Sequence, residues 1–354
     1  DRCIDLLNEV PNNKPVCFRT PCCDSLNTLS PRFFTEIFAK TTAKGNFLQA
    51  DSSVMQVFTS ADPALPRELV LDADGKEKFK KYLPTDRFFA NSIENYPYPF
   101  VVDRLCWEFP CVAPSDWAAQ HFHKPNNPQT IEDWKAALDC TVVKQGVFCL
   151  VFHPHNWIKP EQINELIDHA VTKHGKKVKF LTFREAVERL NKNVLGGQSL
   201  RSDKGRDNGV RMLDVDNDGL LDATIGNSSV QQTRVWSNQE SHWLTTDFPA
   251  VLTDADRSHL TRFGAMSGVR GAMLFQPVLE KIWNFEHGHW HVKHEKHSLG
   301  TKFAFANELL LPLDLSIRDV DHDGKPNLVV VQELGISVSG WSDKCWPSAG
   351  CQQR

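Results

Sequence analysis

The chain has 354 residues, of which 41% are hydrophobic and 24% are charged, a composition typical of a folded globular protein rather than a disordered one. Its 40 Lys and Arg residues and 44 Asp and Glu residues give a net charge of −4. Because no basic run interrupts this balance, we expect no nucleic-acid partner. No apolar run approaches the roughly 18 residues that a membrane-spanning helix needs, so we expect no membrane span. At about 150 residues per domain, the length predicts two domains.

The amino-terminal residues 1–5 carry no basic-then-apolar secretion signal and do not begin with Met. We therefore expect a processed or recombinant chain, or a part of a longer one. The ten cysteines favour an oxidising compartment. We interpret Cys140 and Cys149 as small core residues and not as members of a disulfide framework.

The first 195 residues alternate helix-like and strand-like stretches. Helices are predicted to begin at a proline or a capping residue and to end at a glycine where one follows: 31–45, 130–146, 160–175 and one from 182 onward. The continuous apolar run 147–152 is typical of a strand buried on both faces, and 178–183 is a second predicted strand. This order predicts an α/β layer with parallel strands.

A change of texture near the Gly196-Gly197 pair predicts a domain boundary. We expect one domain over 1–195, a linker over 196–206, and a second domain over 207–354. The second domain is predicted to be all-β, because it consists of short strand-like segments separated by turn residues.

Two aspartate-rich loops, 105 positions apart, form an internal repeat within the second domain. Each has alternate acidic or amide side chains around a glycine turn, a pattern that directs oxygen ligands towards one Ca²⁺: Asp214, Asp216, Asp218 and Asp222, then Asp319, Asp321, Asp323 and Asn327. The alternative is a solvated acidic turn without an ion. The loops resemble the calcium loops of FG-GAP (VCBS-type) repeats. This resemblance implies blades of a β-propeller, a structural Ca²⁺, and a surface on which a protein partner can bind.

His153 follows the apolar run 147–152, which places it at the carboxyl end of a predicted parallel strand. In barrel-type α/β folds this end carries the chemistry, although a histidine there is also often a structural residue. Three segments resemble, in order, the R-x-P, D-x-x-D-W and L-x-H motifs of polysaccharide deacetylases (carbohydrate esterase family 4): Arg19-Thr20-Pro21, Pro114-Ser115-Asp116-Trp117 and Leu150-Val151-Phe152-His153. Together with the repeats, the arrangement resembles bacterial proteins of the planctomycete type.

The resemblance implies a partial (β/α) barrel that removes acetyl groups from a glycan. It makes His153 the acid that protonates the leaving group, Asp116 the acceptor of a hydrogen bond from His153 or Arg19, and Arg19 the residue that orients the base. It further implies substrate contacts from the Cys22 N–H, the rings of Trp117 and Trp157, and His155. A periplasmic or secreted location is expected.

In that family a T-F-D-D segment and an H-x-x-x-H pair supply the base and the ligands of Zn²⁺ or another divalent transition metal. Both should precede R-x-P, whereas the residues before Arg19 contain neither motif and no histidine. We expect these motifs upstream in a complete enzyme of this type. The alternative function is a non-catalytic, secreted carbohydrate- or protein-binding module with calcium-stabilised repeats.

A dense histidine cluster lies in the second domain. On one strand, His287, His289 and His291 would share a face and form a candidate site for Zn²⁺ or Ni²⁺. The alternative is a polar strand face with exposed histidines. We interpret Asp103 and Glu108, in the first domain, as charged rim residues; the alternative is that they are pocket carboxylates.

Overall fold

A computed structural model describes residues 2–21, 32–83, 92–253, 262–264, 271–276, 281–294, 314–318, 327–332 and 335–339. The chain divides into two compact units. Unit 1 comprises Asp1–Leu190 and Asp203–Arg206, and unit 2 comprises Asn191–Ser202 and Asp207–Arg354. Cys22 and the three aspartates of the second loop, Asp319, Asp321 and Asp323, lie outside the described residues.

The helices of the described chain lie almost entirely in unit 1. The α-helices are α1 (Arg2–Glu9), α2 (Arg67–Val70), α3 (Asp116–His123), α4 (Pro128–Lys144), α5 (Pro160–His169) and α6 (Phe183–Asn193). Two segments have π-helical geometry, Phe33–Phe38 and Ala170–His174, and two are short 3-10 turns, Lys80–Tyr82 and Gly175–Lys177. None of the helices described in the chain combines the length and apolar character needed to cross a bilayer.

Two of the predicted helix starts can be judged directly from the hydrogen bonds at their caps. The start at Thr130 is wrong, because Asn127 caps α4: its side chain accepts the Gln129 N–H at 2.9 Å, and proline occupies the first turn. At Thr182 the capping box is confirmed. The Glu185 carboxylate accepts the Thr182 N–H at 2.7 Å, and the Thr182 hydroxyl accepts the Glu185 N–H at 3.3 Å. Thus the cap of α4 lies three residues before the predicted one, whereas the cap of α6 lies where expected.

The strands of unit 1 are short and mostly parallel: β1 (Cys17–Phe18), β2 (Ala50–Asp51), β3 (Met55–Val57), β4 (Ser92–Glu94), β5 (Phe100–Val102), β6 (Cys106–Glu108) and β7 (Cys111–Val112). One sheet has the order β1-β2-β6-β5 and the other β4-β3-β7. Among the described strands of unit 1, only β5 runs antiparallel to its neighbour. The predicted α/β layer with parallel strands is therefore confirmed, and the described strands form no closed barrel.

The two predicted strands after α4 are not formed as expected. Segment 147–152 makes a single parallel bridge, between Cys149 and Cys111, and Phe152 is half exposed. Segment 178–183 contains no strand, and the Phe180 side chain is 62% exposed. An apolar run favours extended chain, but a strand also requires a neighbouring strand to which its backbone can bond.

The core between α4 and α5 fixes the connection that leads into α3. Trp134 is fully buried in a cluster that also contains Ile131, Leu138 and Leu166, and its indole N–H donates to the carbonyl of Pro114 at 2.8 Å. Burial of such an aromatic side chain stabilises the fold by about 3 kcal/mol. Pro114 lies two residues before α3, so the packed tryptophan holds the start of that helix in place.

The cysteines predicted to be core residues are buried: Cys140 is 0% and Cys149 is 8% exposed. Both are free thiols, as are the other described cysteines, namely Cys3, Cys17, Cys106 and Cys111. The interpretation of Cys140 and Cys149 as small apolar core residues is confirmed.

Unit 2 consists of antiparallel sheets: β8 (Val210–Leu213), β9 (Asp222–Gly226), β10 (Gln231–Ser237), β11 (His242–Asp247), β12 (Arg262–Gly264), β13 (Met273–Gln276), β14 (Lys281–Glu286), β15 (His289–His294), β16 (Asp314–Arg318), β17 (Asn327–Gln332) and β18 (Gly335–Ser339). Their orders are β11-β10-β9-β8, β12-β13-β14-β15 and β16-β17-β18. Within each of these sheets, the strands that pair are consecutive in the sequence.

The internal repeat extends to the pairing of the strands that flank the two aspartate loops. Leu213 pairs with Asp222 across the first loop, and Arg318 pairs with Asn327 across the second. Both partners of the second pair lie at the repeat spacing from those of the first. Each loop thus connects the two strands of a hairpin, and the two hairpins have the same register.

Candidate active site and metal centres

The structure brings together Asp116 and His153, which are 37 residues apart in sequence. The His153 backbone N–H donates to Oδ2 of Asp116 at 2.6 Å, and the His153 ring nitrogen Nδ1 lies 2.8 Å from Oδ1. The Asp116 side chain is 0% exposed, whereas that of His153 is 42% exposed. Of the two residues expected to bond to Asp116, His153 is therefore the observed partner.

Asp116 is held at the first turn of α3. The preceding residue, Ser115, caps the helix by accepting the Ala118 N–H at 3.1 Å, and the Asp116 N–H donates to the Val151 carbonyl at 3.1 Å. A carboxylate at this position is stabilised by the positive end of the helix dipole. The helix therefore stabilises the negative charge of Asp116, and backbone hydrogen bonds fix its position, independently of His153.

The loop after His153 places aromatic rings beside the imidazole. The ring of Trp157 lies 5.3 Å from that of His153, edge to face, and 5.0 Å from that of His155. The Trp157 carbonyl accepts the Asn126 N–H at 2.8 Å, which ties the loop to the segment before α4. Trp157 and His155 thus lie beside His153, where both could contact a substrate as predicted.

Trp117, the other predicted wall, contacts a different residue. Its ring lies 4.3 Å from the ring of His121, one turn later on α3, and it packs against the buried cluster of Tyr82, Ala118 and Ala119. These contacts show Trp117 as a helix-packing residue.

Arg19 joins its own segment to the two segments that contain Ser52 and Leu150. Its Nε donates to the Ser52 carbonyl at 2.8 Å, one terminal nitrogen donates to the Ser52 hydroxyl at 2.7 Å, and the other donates to the Leu150 carbonyl at 3.3 Å. Its hydrogen bonds thus go to Ser52 and Leu150 and support the chain that leads into His153.

We tested whether the residues around His153 fit the transition metal that the deacetylase resemblance implies. The rings of His153 and His155 are stacked at 5.8 Å with an interplanar angle of 15°, so their in-plane nitrogen lone pairs do not converge. Nδ1 of His153 is occupied by Asp116. Among the described residues, the groups able to hold an ion do not include His153. The residues present here do not fit that metal.

Sequence reasoning missed a buried pair of carboxyl groups. Asp51 and Glu108 face each other across β2 and β6, and both are 0% exposed. Oε1 of Glu108 accepts the N–H groups of Ser53 and Val54 at 3.1 and 3.0 Å, and Oδ1 of Asp51 accepts the Ser53 hydroxyl at 3.0 Å. The expectation that Glu108 is a rim residue is wrong, because its strand lies inside the sheet.

The remaining oxygens of this pair, Oδ2 of Asp51 and Oε2 of Glu108, find no donor if both groups are ionised. The two carboxyl groups are within hydrogen-bond reach of each other, so one shared proton can link them. Burial, followed by the charge of Asp51, raises the pKa of Glu108 to about 9, and burial also raises the pKa of Asp51. The pair therefore holds one proton at neutral pH.

The first aspartate loop gathers the ligand atoms of Asp214, Asp216 and Asp218 within 4.8 Å of one another. Its turn is held by the N–H groups of Asp218 and Gly219, which donate to Asp214 at 3.0 and 2.9 Å. Burial, followed by the charge of Asp218, raises the pKa of Asp216. A bound cation would relieve this repulsion.

Asp222, the fourth predicted calcium ligand, binds backbone N–H groups. Its two oxygens accept the N–H groups of Val215 at 2.9 Å and Trp236 at 3.0 Å, and burial raises its pKa to about 6. The structure thus groups three of the four predicted calcium ligands and gives the fourth a backbone-holding role. Of the second loop, only Asn327 lies within the described residues, at the start of β17.

The predicted histidine face is not formed by three residues. His287 lies in the turn between β14 and β15 with a positive φ of 54°, because the chain reverses there. Of the three predicted histidines, only His289 and His291 lie on β15. His289 Nδ1 is 2.8 Å from the Thr246 hydroxyl, and His291 Nε2 is 3.2 Å from the Glu286 carbonyl. The hydrogen-bond partners of His289 and His291 are thus separate.

A different group can hold an ion. The ligand atoms of Asp139, His169 and His174 lie within 4.8 Å of one another, in unit 1, and none of the three was a predicted site residue. No sequence motif indicated this group, because its members lie on separate helical segments whose packing the sequence does not specify.

Comparison of the chain with protein-family models, with curated proteins and with solved structures found no match.

Proposed function

We propose that unit 1 hydrolyses acetyl groups on a glycan, with His153 as the proton carrier and Asp116 as the group that orients it. The observation that carries this proposal is the pair of hydrogen bonds between His153 and one buried carboxylate, at 2.6 and 2.8 Å. A histidine bonded to a carboxylate through Nδ1 has its other nitrogen, Nε2, available for proton transfer.

With its proton on Nδ1, facing Asp116, the neutral His153 ring has a free lone pair on Nε2 that can accept a proton. Water attacks the acetyl carbon while its proton passes to Nε2 of His153, and the imidazolium is stabilised by Asp116. As the bond from the acetyl carbon to the sugar nitrogen or oxygen breaks, Nε2 returns the proton to that leaving atom. The products are acetic acid and the free amine or hydroxyl group. This scheme routes no step through a metal ion.

The substrate class is proposed from the rings beside the imidazole. Trp157 is partly exposed and His155 is exposed, and aromatic faces bind the apolar faces of sugar rings and acetyl methyl groups. The ring centroids of His155 and Trp157 lie 5.8 and 5.3 Å from that of His153. A sugar bound against these rings can therefore place its acetyl group near Nε2.

For unit 2 we propose that the first aspartate loop binds a structural Ca²⁺ and that the meander sheets are propeller-type blades of the FG-GAP kind. Three carboxylates around a glycine turn support the first part, and the sequential antiparallel pairing supports the second. A periplasmic or secreted bacterial location, a glycan ligand and a protein partner on these sheets belong to the same proposal.

The test is acetate release from a panel of N- and O-acetylated oligosaccharides by the full chain. We expect wild-type protein to release acetate and His153→Ala to release at least about 100-fold less, with an unchanged circular dichroism spectrum. His242→Ala, an exposed histidine of unit 2, is the control and should retain wild-type activity. Absence of release by wild type, or equal release by His153→Ala, would overturn the proposal.

A second candidate function is glycan binding without turnover, favoured by the exposed ring of His155 and the partly exposed ring of Trp157. It predicts saturable binding of the same oligosaccharides without acetate release. Trp157→Ala would then weaken binding, whereas His153→Gln would leave it nearly unchanged.

A further inference from the structure

Three side chains of unit 1 converge beside α4, apart from the proposed hydrolytic residues. Nε2 of His169 lies 2.9 Å, and Nε2 of His174 lies 2.6 Å, from the same oxygen, Oδ1 of Asp139. The side chains of His169, His174 and Asp139 are 19%, 12% and 8% exposed. Two imidazoles and one carboxylate are ligands that Zn²⁺ prefers.

The local backbone explains how the two histidines come together. His169 ends α5, and His174 ends the π-helical segment that follows. In a regular α-helix, side chains five residues apart point about 140° away from each other. A π-helical turn is closed by bonds between residues five apart, so it places such residues one above the other. Single π-turns of this kind often occur at functional sites.

The ring orientations also suit one ion. The His169 and His174 rings lie 5.9 Å apart at an interplanar angle of 79°, so their Nε2 atoms approach the carboxylate from different directions. Ligands of a tetrahedral zinc ion, at about 2.0–2.1 Å from the metal, are about 3.3 Å from one another. The observed separations of 2.6 and 2.9 Å therefore need to widen by only about 0.4–0.7 Å to admit zinc in place of the two hydrogen bonds.

We propose that Asp139, His169 and His174 form a Zn²⁺ site in which Nε2 of each histidine and one carboxylate oxygen are the protein ligands. The fourth position is taken by water. The ion links α4 to the end of α5, and it therefore stabilises unit 1 when bound. This site is independent of the proposed hydrolytic function and of the calcium loop.

The positive charge of Lys173 lowers the zinc affinity of this site. Its ammonium group lies 2.8 Å from the other oxygen of Asp139, Oδ2, and its side chain is 54% exposed. The ammonium neutralises the carboxylate in the metal-free protein and repels a divalent ion. Removing this charge while keeping all three ligands should tighten zinc binding, on the order of tenfold.

The experiment measures zinc binding to the chelator-treated full chain by calorimetry and by metal analysis after gel filtration. We compare the wild type with the double variant His169→Gln/His174→Gln, in which both glutamine amides can still donate to Asp139. His242→Gln is the matched control, because His242 also pairs with a carboxylate, Glu240, at 3.1 Å but has no described third ligand. Lys173→Met tests the charge argument in a protein with all ligands intact.

We expect the wild type and His242→Gln to bind one more zinc per chain than the double variant, and zinc to raise the unfolding temperature of these two proteins but not of the double variant. We also expect Lys173→Met to bind this zinc more tightly than the wild type. Equal stoichiometry in the wild type and the double variant would overturn the proposal and leave a plain hydrogen-bonded cluster. Should the double variant not fold, unchanged or weaker zinc affinity of Lys173→Met would overturn the proposal by itself.

Discussion

Replacing Glu108 with glutamine tests whether the buried carboxyl pair holds a proton. Because glutamine has the shape of a protonated glutamate, the substitution Glu108→Gln keeps the packing of this side chain in the sheet. The new amide N–H can donate to Oδ2 of Asp51, which otherwise depends on the shared proton. The amide carbonyl can accept the N–H groups of Ser53 and Val54 that Glu108 now accepts.

The magnitude follows from the pKa of Glu108, which burial and then the charge of Asp51 raise from 4.5 to about 9. Between these pH values the folded state keeps a proton that the unfolded state releases. The free energy of unfolding therefore falls as pH rises through this window, by up to about 1.4 kcal/mol per pH unit. From about pH 5.5 to about pH 8.5 the loss amounts to about 4 kcal/mol, and Glu108→Gln does not undergo it.

The assay is urea unfolding of both proteins at several pH values between about 5.5 and 8.5. We expect the stability of Glu108→Gln relative to wild type to increase steadily with pH, by a few kcal/mol over the range. Glu188→Gln, which removes an exposed carboxylate, is the control for the change in net charge. Parallel pH profiles for wild type and Glu108→Gln would refute the shared-proton arrangement.

Three further predictions concern other parts of the molecule. Calcium should raise the unfolding temperature of the wild type and of Asp247→Asn, an exposed control, but not that of Asp216→Asn, as measured by calorimetry with and without chelator. Arg19→Lys should lower the free energy of unfolding by about 1–3 kcal/mol in urea titrations, because an ammonium cannot reproduce the fork of bonds to Ser52 and Leu150. Trp157→Ala should weaken oligosaccharide binding about 10-fold or more in calorimetric titrations, through loss of ring contact.

Each of these predictions has a clear contrary result. An equal calcium response in Asp216→Asn and wild type would remove the loop from consideration as a calcium site. Wild-type stability of Arg19→Lys would mean that the three observed bonds contribute little to the fold. Unchanged glycan affinity in Trp157→Ala would place the sugar elsewhere on unit 1.

The pairing of Asp116 with His153 or Arg19 was predicted only through the resemblance to polysaccharide deacetylases. In the structure, a single bridge joins Cys149 to Cys111 in β7, and α3 begins shortly after that strand. This local arrangement brings together two residues that are 37 positions apart in sequence. What the sequence left open was whether Asp116 bonds to His153 or to Arg19, since this depends on side-chain directions.

The pair of Asp51 and Glu108 could not be predicted in the same way. The two residues face each other because β2 and β6 pair in one particular register, and a shift by one residue would turn each side chain to the opposite face of the sheet. Glu108 stands among apolar residues, Trp107 and Phe109, and this context was the available signal that its carboxyl group is buried.

The zinc ligands proposed in unit 1 illustrate a different limit. A spacing of five residues between His169 and His174 does not match the three- or four-residue spacing of a helix face, so α-helical periodicity separates them. Only the π-helical geometry of Ala170–His174 aligns them. The strand predicted at 178–183 is not formed, because an apolar pattern does not specify a neighbouring strand with which to pair.

The most direct test of the proposed proton-carrying pair is a double-mutant cycle on acetate release, using His153→Ala, Asp116→Asn and the double variant. If Asp116 acts only by orienting His153, the double variant should be no slower than His153→Ala alone, since residues that act as one unit lose their effect together. Losses that multiply in the double variant would show that the two residues act separately, and would contradict the proposed pair.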